Sequence, residues 1–168
     1  LHAGQFGSLV QVWLGRNNQL RHYMKFILLA LIALCPLLAQ AQKTPPGVTY
    51  DVPVLRVTDG DTVVFSARFL PAPLKPELTL RIFGVDTPEK GHRAQCPSEA
   101  QRGEAATAFT KQRVAAARQT QITLYQWDKF GGRVLGDLLL DGVSHRQQLI
   151  ANGFAREYYG DAKQSWCN

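Results

Sequence analysis

The sequence predicts an α+β fold that is mainly β, a small closed barrel of five short strands with about three helices. Three observations lead there. Five stretches with strand patterning are separated by glycine-bearing turns, and two helix starts carry the Ser-x-x-Gln pattern of a capping box. The strand-helix-strand alternation that builds a parallel sheet is absent.

The chain has 168 residues, 45% hydrophobic and 19% charged, which suits one globular domain plus an additional segment. The addition is at the front. The only methionine is Met24, followed by Lys25, an apolar run from Phe26 to Leu38 and then Ala39-Gln40-Ala41. These are the three parts of a secretory signal peptide, over residues 24–41, with cleavage expected before Gln42. The run is short for a membrane span, and the bulky Leu34 before Cys35 does not suit lipoprotein processing. Residues 1–23 are read as an upstream segment without a fold of its own, 42–50 as a linker and 51–168 as the single domain. The expected location is the periplasm or outside the cell, with no stable membrane association after cleavage.

Export bears on cysteine chemistry and charge. Once Cys35 leaves with the signal, Cys96 and Cys167 remain, and an even pair in an oxidising compartment favours a disulfide. The formal charge of +6 loses Arg16, Arg21 and Lys25, with no acids, so the mature part carries 6 − 3 = +3. A mildly basic domain is compatible with a polyanionic substrate.

The elements follow in order. Pro45-Pro46-Gly47 reads as extended, and Val54 to Val57 leads through Asp59-Gly60 into Thr62 to Phe65, a hairpin with Asp61 at the mouth of its second strand. Asp59 reads as turn chemistry; Asp61 lies beyond the Asp-Gly pair and is less well covered by that reading. Three prolines between Phe69 and Glu77 make an exposed loop. Leu78 to Val85 is the next strand, with Leu80 and Ile82 on one face and Arg81 on the other. Ser98 and Gln101 are the capping box of a core-packing helix with Ala106, Phe109, Thr110, Val114 and Ala117 on its apolar stripe, weakened slightly by Gly103. Strands over Thr120 to Gln126 and Val134 to Leu140 flank a charged turn, and Asp141-Gly142 closes a second hairpin. Ser144 and Gln147 open a helix ending at Gly153, and Asp161 starts a short last helix carrying Trp166 and Cys167.

The chemistry concentrates in Arg81 to Glu89. One guanidinium starts this stretch, and Asp86, Thr87 and Glu89 crowd its end around Pro88. Oxygen ligands suit a hard divalent cation and guanidinium suits phosphate, so the layout is that of a cation site beside an anionic substrate. An arginine among apolar neighbours is otherwise a surface residue whose stem snorkels.

Taken with Asp59-Gly60-Asp61-Thr62 and Asp128 to Arg133, in this order, the stretch resembles the staphylococcal nuclease (thermonuclease) family. The resemblance runs from about Val54 to Tyr159, through Ala108-Phe109-Thr110-Lys111 and Asn152-Gly153-Phe154-Ala155. It implies an OB-fold barrel with helices, a monomer that cuts DNA and RNA, single-stranded or locally open, with one calcium ion. It implies Asp61 and Asp86 as carboxylate ligands and Thr87 as a carbonyl ligand. Glu89 would position or deprotonate the attacking water, Arg81 and Arg133 would hold the scissile phosphate, and Lys129 and Tyr159 would line the nucleotide site. The sequence departs from the family's pattern at Phe130, usually a tyrosine, at the second glycine of Gly131-Gly132, and in its longer proline loop.

Two rivals are weighed against the nuclease. A non-catalytic OB-fold module that binds single strands through Lys129, Tyr158 and Tyr159 has no use for Asp61, Asp86 and Glu89, which repel phosphate without a metal. A calcium-stabilised structural domain leaves Arg81 and Arg133 unexplained.

Overall fold

The computed structural model describes residues 44–129 and 131–167, so the expected upstream segment and signal, and Phe130, lie outside the described residues. Nine strands are assigned among them. They are β1 Val48–Asp51, β2 Val54–Asp59, β3 Thr62–Ser66, β4 Glu77–Ile82, β5 Val85–Asp86, β6 Thr120–Trp127, β7 Val134–Leu140, β8 Val143–Ser144 and β9 Arg156–Glu157. Two α-helices join them, α1 Pro97–Ala116 and α2 His145–Ala151, with a 3-10 turn at Gly91–Arg93. The fold is therefore α+β and mainly β. No helix among the described residues is long and apolar enough to cross a membrane.

The five expected strands are β2, β3, β4, β6 and β7. The main sheet runs β1-β6-β7-β4-β3-β2, with β8 beside β7, and β5 pairs with β9 separately. All neighbours are antiparallel except β4 and β7, where Leu80 to Ile82 run parallel to Val134 to Gly136. No ladder among the described residues joins β1 to β2, so the expected closed barrel is not closed by pairing. The two ends are nevertheless consecutive in the chain, separated by Val52 and Pro53, and Pro53 has no N–H with which to continue a ladder.

Alternation along β4 and burial of β3 on both faces build the core. Val63, Phe65, Leu80, Ile82, Ile122, Leu138 and Leu140 are fully buried, and Leu149 of α2 joins them. The α1 stripe is as expected, with Ala106 and Thr110 fully buried and Phe109, Val114 and Ala117 packed at the margin.

Four local expectations change. The sheet begins at Val48, inside the segment read as linker, because Val48 to Asp51 pair with Leu124 to Gln121. The strand expected through Val85 breaks at Phe83-Gly84, where Gly84 has φ 78°, and resumes as β5 against β9. The capping box at Ser98 does not form: α1 starts at Pro97 with Cys96 as N-cap and no side-chain cap bond. Proline suits the first helical position, and the Glu99 carboxylate instead accepts the Gln95 N–H at 2.7 Å. The last helix from Asp161 is absent, and residues 161–167 have no regular structure. So short a segment gains too few internal hydrogen bonds to offset helix nucleation. By contrast, Ser144 does cap α2, its Oγ accepting from Gln147 N, and Gly153 follows the helix with φ 73°.

Candidate functional site

The first hairpin, α1 and α2 meet at the turn that carries Asp61. The first hairpin turns on Gly60-Asp61 after Asp59 pairs with Thr62. Gly60 is needed for closeness, since a Cβ there would stand 2.9 Å from Ala106 Cβ and 3.1 Å from Thr87 Cγ2. The Thr110 hydroxyl donates to Gly60 O at 2.6 Å and, its proton so used, accepts from His145 Nε2 at 3.0 Å. Thus both helices fix the turn carrying Asp61, a residue only 1% exposed.

Asp61 and Asp86 share one arginine. Arg81, opposite Thr62 in the β3–β4 ladder, donates from Nη1 to Asp61 Oδ1 at 2.8 Å and stands 3.6 Å from Asp86 Oδ1 through Nη2. Thr62 Oγ1 also donates to Asp61 Oδ1 at 2.9 Å, and Thr87 N–H donates to Oδ2 at 3.3 Å. Asp86 and Thr87 are buried where β5 ends.

The tail completes the group. Trp166 Nε1 donates to Asp86 Oδ2 at 3.1 Å, and Lys163 Nζ lies 2.7 Å from Asp86 Oδ1 and 3.6 Å from Glu89 Oε1. Asp86 Oδ1 is a buried oxygen without a well-directed hydrogen bond, so Lys163 meets it as a charge more than as an aligned donor. Burial works against the Lys163 ammonium, but the close Asp86 carboxylate, helped by Glu89, prevails and raises its pKa above the ordinary value.

Glu89 is held from three sides. Arg93 Nε is 3.3 Å from its carboxylate, and its backbone N–H donates to Glu99 Oε1 at 3.3 Å. Behind it is Gly103, where a Cβ would stand 2.4 Å from Glu89 O. The glycine that weakens α1 as a helix is thus what lets α1 lie against the Pro88-Glu89 backbone. Arg93 also pairs with the buried carboxylate of Asp59.

Arg133 comes from the other side. Asp128 accepts from its Nε, and Asp128 N–H donates to Arg133 O at 3.0 Å, closing the β6–β7 loop on itself. Gly131 and Gly132 have φ of 70° and 73°, left-handed values that glycine adopts without a Cβ penalty. The second glycine is taken up in this loop. Arg81, Glu89, Lys129, Arg133 and Tyr159 all line one cavity of about 830 Å³. Tyr159 packs edge-on against Phe83 and accepts from Arg146 Nη1 at 3.1 Å. Asp61, Asp86 and Thr87 are not in the cavity wall; Asp61 and Asp86 meet it through Arg81 and Lys163, which are.

Cys96 and Cys167 are joined, with Cα atoms 5.9 Å apart. Arg93, Lys163 and Trp166 join the site without a motif in the sequence that marks them for it. Arg93 had a faint signal, a cation four residues beyond Glu89. The other two had none, because only the tertiary path of the tail brings residues 163–166 to Asp86.

The donor set fits a hard cation. Its side chains offer oxygen only: two buried carboxylates share Arg81, and one Asp86 oxygen lacks an aligned partner, with Arg81 and Lys163 supplying the counter-charge in this structure. A mainly-β domain with buried acids behind an arginine-lined cavity is compatible with a nuclease-like or nucleic-acid-binding protein. The family model described as staphylococcal nuclease homologue matches residues 79–166, just over half of the chain, and the chain belongs to that family. A comparison with curated proteins returned no match.

Proposed function

We propose that the protein is an exported, calcium-dependent nuclease that hydrolyses phosphodiester bonds of DNA and RNA with little sequence specificity. The observation that carries this reading is the convergence of Asp61 and Asp86 on Arg81 at a cavity that also holds Glu89 and Arg133. Strands β2 to β4, β6 and β7, with β1 and β2 consecutive in the chain, support an OB-fold barrel beneath it. The cysteine pairing favours an oxidising compartment and hence the signal-peptide reading.

Asp61 and Asp86, with the Thr87 carbonyl, would hold one calcium ion. Bound there, calcium supplies Lewis acidity toward a phosphate oxygen and toward water. Arg81 and Arg133 rest on carboxylates in this structure, and each has further guanidinium donors in a fixed fork. Turned on a phosphate, they stabilise the charge that gathers on its oxygens in the transition state. Glu89, 31% exposed on its side chain and lining the cavity, takes the proton of the attacking water. Trp127, 62% exposed, lines the same cavity as Tyr158 and Tyr159, which suits stacking of unpaired bases. That feature alone also suits the non-catalytic binder, so the two readings part on chemistry.

Digestion of single-stranded DNA by residues 42–168, with calcium and then with chelator, tests the reading. Cleavage that needs the metal is expected. Tight binding without cleavage under any divalent cation would establish the binder in its place.

A further inference from the structure

Among the described residues Arg81, Arg93 and Lys163 are the cationic groups at Asp61, Asp86 and Glu89, and of these Lys163 is the one delivered by the tail. Its Nζ contacts Asp86 at 2.7 Å and Glu89 at 3.6 Å, and Asp86 Oδ1, the oxygen it faces, has no aligned hydrogen bond. The tail around it is fastened at several points. Trp166 donates to Asp86 and stacks under Arg156 at 3.8 Å, Arg102 Nη1 donates to Trp166 O at 3.1 Å, and Cys167 is bonded to Cys96 at the start of α1. A flexible lysine is thereby kept within reach of the cluster at little further entropic cost.

We infer that Lys163 sets the cation affinity of the site: its tethered ammonium serves as the resident counter-charge of Asp86 and Glu89 and has to leave Asp86 for a divalent cation to bind. The inference rests on the reading of Asp61 and Asp86 as cation ligands. Its physical basis is competition. Lys163 Nζ stands at contact distance, 2.7 Å, from Asp86 Oδ1, so a divalent cation placed on that oxygen meets a like charge and must displace the ammonium, and its observed affinity falls by that amount. Arg81 competes in the same way at Asp61, 2.8 Å away, but stands 3.6 Å from Asp86, so the competition at Asp86 belongs to Lys163. The disulfide belongs to the device, since it limits how far the tail can carry the ammonium away.

The test is calorimetric titration of calcium chloride into the mature wild type, Lys163→Gln and Lys163→Arg, beside thermal melts in chelator and in calcium. Lys163→Gln should bind calcium about 3- to 10-fold more tightly, the scale set by loss of one half-exposed ion pair, while Lys163→Arg stays near wild type. In chelator Lys163→Gln should melt lower than wild type, and the rise on adding calcium should be larger. A merely structural lysine would lower both melts and leave the affinity alone. Reductant should shift the wild-type affinity toward that of Lys163→Gln. Equal affinities in all three proteins would overturn the inference while the cation site stands. Absence of calcium binding in every protein would overturn the site reading with it, and an affinity gap unchanged by reductant would remove the disulfide from the device.

Discussion

Glu89 shows how much of the proposed chemistry rests on single contacts. Its carboxylate lies between Arg93 and Lys163, and its backbone is pinned by Glu99 and by the close passage of Gly103. Glu89→Gln keeps the size and the backbone bond while removing the base. It should lower kcat on single-stranded DNA by roughly 10²-fold or more, the scale of a lost general base, with a melting temperature near wild type. Activity within a few-fold of wild type would remove the base assignment. Arg133 was the residue at most risk in the sequence, with one glycine more before it than the family's pattern. Its place on the cavity wall follows from local chemistry: two left-handed glycines take the extra residue and Asp128 anchors the guanidinium.

Between elements, the joint of α1, α2 and the first hairpin is held by His145. Its ring is fully buried, touches Thr110 and stacks parallel to Phe109 with centroids 5.8 Å apart. Burial lowers its pKa from 6.5 to about 4. A depressed histidine binds its proton more readily unfolded than folded, so this contribution is present above pH 6.5 and is lost as pH falls from there toward 4. The loss over that window is on the order of 3 kcal/mol. Urea unfolding of wild type should show this decline, and His145→Gln should flatten it. Local signals made the long elements readable: Leu80 and Ile82 on one face with Arg81 on the other, the Asp141-Gly142 turn with φ of 53° and 78°, and the Ser144 cap. The start of α1 was misread because a serine-glutamine spacing looks the same whether or not Pro97 and Glu99 organise that turn first.

At the scale of the molecule, the disulfide spans 71 positions of sequence and in the chain-entropy model contributes roughly 4 kcal/mol. Reduction should therefore lower the melting temperature by roughly 10 to 20 °C for a domain of this size, measured by calorimetry with and without reductant. A shift of a degree or two would show that the loop is already restrained in the unfolded chain. The pairing itself was legible, since, with Cys35 expected to leave with the signal, Cys96 and Cys167 have one partner each. Its meaning was not, because nothing in the order of residues says that closing it lays Trp166 and Lys163 on Asp86.

That bond also divides the molecule into a covalent ring, Cys96 to Cys167, and an open arm before it. The arm carries Asp61, Arg81, Asp86 and Glu89; the ring carries Arg133, Tyr159 and Lys163. A protease cut inside the ring leaves the oxidised protein in one piece, whereas a cut between residues 90 and 95 parts the two halves of the site. Electrophoresis after limited proteolysis, with and without reductant, separates these cases. An exposed loop tip in the ring can be nicked without either half of the site being lost.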